Sequence, residues 1–222
     1  MSNELLGLVA ALVGGVIGLG THRLNQVLAR DEEDATEPPL PGEPYWAPVL
    51  SAVALGLAFY RYGLNPRALL AGVVLLVLVQ VLVFDARHRL ILNKVIYPAI
   101  VVALLISPIN PLILGSTNAL GSVDSALLGA VAGGGLFLAL VLISRGGVGL
   151  GDAKLTFFMG AVVGFLPLYN PPIVRALIFG VVFGGVIALV LLLTRIRGMR
   201  DFIPYGPFLC VGGAVAILFP VP

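Results

Sequence analysis

Charge is scarce in this chain. Of 222 residues only 11% are Asp, Glu, Lys or Arg, while 59% are hydrophobic. A soluble domain needs far more charge to cover its surface, so a water-soluble globular protein is excluded. Cysteine is nearly missing. Cys210 stands alone inside an apolar run, which leaves no partner for an intrachain disulfide and no cysteine-based zinc site. It reads as a small packed hydrophobe. Histidine occurs twice, at His22 and His88, each beside an arginine, and no metal site is expected from them. A basic start is lacking too. Glu4 is the only early charge, and Arg23 and Arg30 follow the first apolar run, so this stretch reads as a retained span and not as a cleaved signal.

What is present is a succession of apolar runs close to the roughly 20 residues that cross a bilayer as a helix. Eight spans are expected, at about 4–25, 46–63, 67–85, 94–112, 123–144, 153–168, 173–194 and 203–220. They make an all-α polytopic transmembrane bundle, with residues 1–222 as a single membrane domain. Breakers separate them: "GLNPR", "SPINPLILGSTNALGSVD" and "PLYNPP". With the N-terminus outside, Arg23, Arg30, Arg87, Arg89, Lys94, Arg145, Lys154, Arg195, Arg197 and Arg200 fall on the cytosolic side, against Arg61, Arg67 and Arg175 outside. That bias fixes the expected orientation. Residues 29–46, "ARDEEDATEPPLPGEPYW", are acidic and proline-rich, and read as a cytosolic loop with little regular structure. Glycines four apart (Gly14 and Gly18, Gly129 and Gly133, Gly160 and Gly164, Gly180 and Gly184) mark faces where helix backbones approach closely in lipid.

Most acids need no special account: they sit in the acidic loop, at the terminus, at a helix start (Asp124) or beside an arginine (Asp201). Asp85 and Asp152 remain, and both abut spans, where charge is costly and usually functional. Asp85 closes the third span and Asp152 opens the sixth. Two spans lie between them, so both are expected on one face of the membrane, the cytosolic one. Two carboxylates brought close in a low dielectric cannot both ionise easily; they share a proton, one serving as base and the other as acid. A water between them becomes a nucleophile for an amide carbonyl. Gly149 and Gly151, in "RGGVGLGDAKL", would let a substrate strand come close to Asp152. A protease and a proton-coupled transporter both fit this physics.

The motifs narrow the choice. "GVGLGDAKL" resembles the Gly-x-Gly-Asp motif of membrane aspartic proteases, in particular that of the type IV prepilin peptidases, where a lysine, here Lys154, follows two residues after the aspartate. "FDARHRLILNKVIYP" is similar to their first motif, matching at Asp85, the basic stretch Arg87 to Arg89, and Asn93, with Leu92 where a proline is usual. "IPYGPFL" resembles their last span, and "GVIGLGTHRLNQVLAR" loosely their first. The Pro-Ala-Leu motif of the presenilin-type proteases does not occur.

The resemblance implies Asp85 and Asp152 as the catalytic pair, supported by Gly149, Gly151, Lys154 and Asn93. It implies removal of a short basic leader from type IV pilin-like or type II secretion pseudopilin precursors, at the cytosolic face of a prokaryotic plasma membrane. Many members then methylate the new N-terminus, with S-adenosylmethionine as donor if that activity is retained. The first loop lacks the two Cys-x-x-Cys pairs of many bacterial members, so zinc is not expected, and proteolysis requires no cofactor. The expected partners are the precursors and membrane lipid, with no nucleic acid. The alternative, a small proton-coupled transporter using the same two acids, predicts an inverted repeat and a polar path at the bilayer midplane. Neither is visible in the sequence. A scaffold role would leave the Asp152 motif without a purpose.

Overall fold

The computed structural model describes residues 2–30, 43–110, 112, 119–144, 148–194 and 205–220. The acidic segment 31–42, Arg145, Arg195, Arg197, Arg200 and Asp201 lie outside them. Among the described residues the chain is all-helical. Its helices are α1 (Asn3–Arg30), α2 (Glu43–Tyr62), α3 (Pro66–His88), α4 (Asn93–Leu105), α5 (Ala119–Ser144), α6 (Leu150–Val163), α7 (Pro172–Leu193) and α8 (Gly206–Leu218), with a 3₁₀ turn at Ser107–Ile109. Four of these, α1, α3, α5 and α7, are long and apolar enough to cross a membrane, and α4 and α8 are shorter apolar helices. The chain divides into two compact units, residues 1–90 with α1 to α3 and residues 91–222 with α4 to α8.

In the first unit, α1 and α2 pack through small residues. A Cβ on Gly14 would strike the Ser51 carbonyl oxygen, and one on Gly18 would strike the Pro48 backbone. Between lipid-bathed helices no hydrophobic drive remains, so such backbone contact carries the association. Leu8, Leu12 and Val16 face outward on α1, as lipid-facing side chains do. The "GLNPR" breaker works by a specific mechanism. Gly63 takes φ 65°, Asn65 then caps α3 by accepting from the Arg67 and Ala68 backbone N–H groups at 2.7 and 3.2 Å, and Pro66 occupies the first turn. Across α1 and α3, the Gln80 carboxamide donates to the Asn25 side-chain oxygen, a buried polar link of the kind worth about 0.6 kcal/mol between membrane helices.

In the second unit, α6 is the central element. Ten of its fourteen residues are buried, Asp152 among them. Its partner α5 meets it backbone to backbone. A Cβ on Gly129 would strike the Gly160 carbonyl oxygen, and one on Gly133 would lie 2.7 Å from the Thr156 oxygen. The end of α6 is clamped as well. The Asn110 amide donates to the Val162 carbonyl at 2.8 Å, and Ser125 Oγ accepts from the Phe165 and Leu166 N–H groups at 3.0 and 2.9 Å. Gly180 and Gly184 of α7 similarly make room for Phe208 and Leu209 of α8. Cys210 is buried at 1% exposure, packed as a small hydrophobe.

Four helices differ in extent from the expected spans by four residues or more. The first runs on to Arg30, so that α1 and α2 take up both ends of the stretch 29–46 expected as a loop, and the fifth begins at Ala119, ahead of 123. The fourth ends at Leu105, and not near 112, because Pro108 disfavours the helical conformation at Ser107 and the chain tightens into the 3₁₀ turn. The sixth begins at Leu150 and ends at Val163, stopped by Gly164 at φ 77°. Asp152 therefore lies inside the first helical turn.

Candidate active site

Asp85 belongs to the first unit. It sits in the last turn of α3, 5% exposed, among Val81, Val83 and Phe84, which are also buried. The helix closes on it: the Arg89 N–H donates to the Asp85 carbonyl at 2.8 Å, and Arg89 takes a left-handed conformation at φ 53°. A non-glycine residue held there is strained, and such strain concentrates at functional sites. The His88 ring packs on Phe84 with centroids 4.6 Å apart.

Asp152 belongs to the second unit and is 7% exposed. Gly149 is the N-cap of α6, and Asp152 is its third helical residue. The carboxylate turns back to accept from the Gly149 N–H at 3.3 Å, while the Asp152 N–H donates to the Gly149 carbonyl at 3.1 Å. This is the half of a capping box that a glycine cap permits. Thr156 Oγ1 donates back to the Asp152 carbonyl at 2.9 Å and locks the turn.

The two motif glycines have different reasons. A Cβ on Gly151 would stand 3.1 Å from Ile91 Cβ, so a larger residue would have to push Ile91 aside by a few tenths of an ångström and packing inside the unit favours the small one. A Cβ on Gly149 would make only ordinary contact, 3.6 Å from the Asp152 carboxylate, and its φ of −83° suits any residue. Nothing within the described chain demands glycine at 149.

Lys154 and Asn93 are brought together: Lys154 Nζ donates to Asn93 Oδ1 at 2.7 Å. Tyr97, which the motifs did not single out, places its ring 5.0 Å from the same ammonium. Its signal was the four-residue spacing from Asn93, which puts both on one face of α4. Among the described residues, no group of three or more His, Cys, Asp or Glu is placed to hold a metal ion, and the buried carboxylates are Asp85 and Asp152 alone.

The fold and its buried acids define a class: an all-helical membrane protein with a carboxylate at the end of one buried helix and another at the start of a second. The family model for the type IV leader peptidase family matches residues 69–193, a stretch that contains both aspartates. The chain belongs to that family. It is similar to curated proteins named prepilin leader peptidase/N-methyltransferase. That of Bacillus subtilis (strain 168) is 32% identical over 177 residues, covering 78% of this chain and 64% of the relative. That of Stutzerimonas stutzeri is 30% identical over 177 residues, 74% of this chain and 54% of the relative. The Legionella pneumophila protein is 27% identical over 175 residues, 77% and 56%. The chain thus spans a little over half to just under two thirds of these relatives' lengths. No solved structure matches it.

Proposed function

We propose that the chain is a membrane aspartic endopeptidase that removes the short basic leader from type IV pilin-like or type II secretion pseudopilin precursors. The observation that supports this reading is that the buried carboxylates of the described chain, Asp85 and Asp152, both fall in the family-matched stretch. In the proposed mechanism they form a dyad that shares one proton. The ionised member takes a proton from a water, the water's oxygen attacks the scissile carbonyl, and the protonated member donates to that carbonyl's oxygen. Collapse of the tetrahedral adduct returns the proton to the leaving nitrogen. Gly149, with room at its Cα, leaves space for the substrate strand beside Asp152.

The reading includes one membrane domain over residues 1–222 in a prokaryotic plasma membrane, with the N-terminus outside and the dyad facing the cytosol, as the distribution of basic residues supports. The acids between Asp31 and Glu37 would then attract a basic leader to the membrane surface. The relatives' printed names add N-methyltransferase. For this chain S-adenosylmethionine would be the methyl donor if that activity is retained. The transporter reading draws on the same two acids, and family membership favours the peptidase. The test is direct: incubate the purified chain with a pilin precursor and follow the leader by mass spectrometry. An intact precursor after prolonged incubation with the folded protein refutes the peptidase reading.

A further inference from the structure

We propose that Tyr97 is a positioning residue: with Asn93 it forms a cage for the Lys154 ammonium, and through that cage it fixes the turn of α6 that presents Asp152. The proposal rests on the role given to Asp152 above. Three contacts carry it, all within the second unit. Lys154 Nζ donates to Asn93 Oδ1 at 2.7 Å and lies 5.0 Å from the Tyr97 ring centroid, so one face of α4 offers the cation both a carbonyl oxygen and an aromatic surface. On the other side of Asp152, Gly151 abuts Ile91 so closely that a Cβ would sit 3.1 Å from the isoleucine's own Cβ. The segment 91–97 therefore grips the first turn of α6 at residues 151 and 154, and Asp152 lies between the two grips.

Lys154 does not serve as the ion partner of Asp152. Residues two apart on a helix point to different sides, and the lysine's contacts lead to α4. Its chemistry suits a cage: a compact ammonium with three donors can satisfy the amide oxygen, the ring face and water at once, whereas a planar guanidinium would stack instead.

Two measurements test this on the full chain in nanodiscs. Lysine occurs only at Lys94 and Lys154, so reductive ¹³C-methylation gives few signals, and Lys154→Arg assigns one of them. In the parent the Lys154 signal is expected to be displaced by the ring. Tyr97→Phe keeps the displacement, and Tyr97→Leu moves the signal to the position of an exposed lysine. In cleavage of a pilin precursor, Tyr97→Leu lowers kcat roughly two- to fivefold with KM unchanged, in line with a partly exposed cation–π contact, and Tyr97→Phe recovers the parent rate. Asn93→Ala lowers kcat in the same way and serves if Tyr97→Leu does not fold. An unmoved lysine signal in Tyr97→Leu overturns the cage, and so does a kcat per folded molecule equal to the parent's. If the parent itself leaves the precursor intact, the role of Asp152 falls, while the lysine signal still decides whether the cage exists.

Discussion

α3 and α6 each bury one carboxylate, and they hold it by opposite ends. Asp85 sits in the last turn of a 23-residue helix, beside backbone acceptors, while Asp152 sits in the first turn of a 14-residue helix and takes a backbone N–H. The packing differs as much. α3 is buried through large side chains such as Leu75, Leu78 and Phe84. α6 is buried through glycine contacts with α5 in which carbonyl oxygens meet Cα atoms, and its two ends are tied by Lys154 and Asn110. A helix packed by side chains can repack around a change of shape, but one packed by backbone has nothing that can move. The position of Asp152 is therefore the more rigidly specified of the two.

The comparison breaks most visibly at the acids themselves. Asp85→Asn and Asp152→Asn are each expected to lower cleavage by about a thousandfold or more, since an amide cannot exchange the proton. In Asp152→Asn the new side-chain oxygen can still accept from the Gly149 N–H, so the folded, inserted state should persist in circular dichroism and fractionation. Near-normal turnover in either variant removes that residue from the dyad. Lys154→Ala should cost far less than either.

Packing comes next. Gly160→Val places methyl groups where the Gly129 backbone already stands, and should abolish accumulation of folded protein or lower Tm sharply. Leu78→Met in α3, a volume-conserving change at a fully buried site, should cost less than about 1.5 kcal/mol. Equal losses in the two would end the distinction between backbone and side-chain packing.

A finer split concerns the motif glycines. Gly151→Ala should destabilise by roughly 1 kcal/mol through Ile91, whereas Gly149→Ala should leave stability nearly unchanged and act on KM for the precursor. Thermal melts and Michaelis curves separate the two. The smallest effect is expected at Arg89→Gly. It relaxes the left-handed cap of α3 and should change stability by no more than about 1 kcal/mol, in the favourable direction.

Much of this was legible in the sequence. Apolar length and the Gly, Pro and Asn breakers placed the helices, since in lipid the backbone must satisfy itself within each span. The expected third span, 67–85, and the helix Pro66–His88 differ only at the capped ends. The fourth span was read too long because apolar character runs on past the point where Pro108 ends the helix. Asp85 and Asp152 stood out because an acid beside an apolar run has few bland explanations. Tyr97 did not stand out, because a tyrosine near the end of a span is ordinary and its partner Lys154 lies far along the chain. The separate reasons for Gly149 and Gly151 were equally hidden, since only the position of Ile91 tells them apart.

The glycine ladder between α5 and α6 also acts as a depth gauge. Its rungs keep step, Ser125 with Phe165, Gly129 with Gly160 and Gly133 with Thr156, and one further step of four residues puts Asp152 level with Phe137. α5 runs on from there to Ser144, which at 1.5 Å per residue is about 10 Å beyond the carboxylate. The acid is thus recessed by a fixed distance below the end of its neighbour. On the proposed peptidase reading, a peptide bond cleaved at Asp152 would have to come from a matching depth, and sliding this ladder by one turn would move the cut by about 5 Å along the substrate.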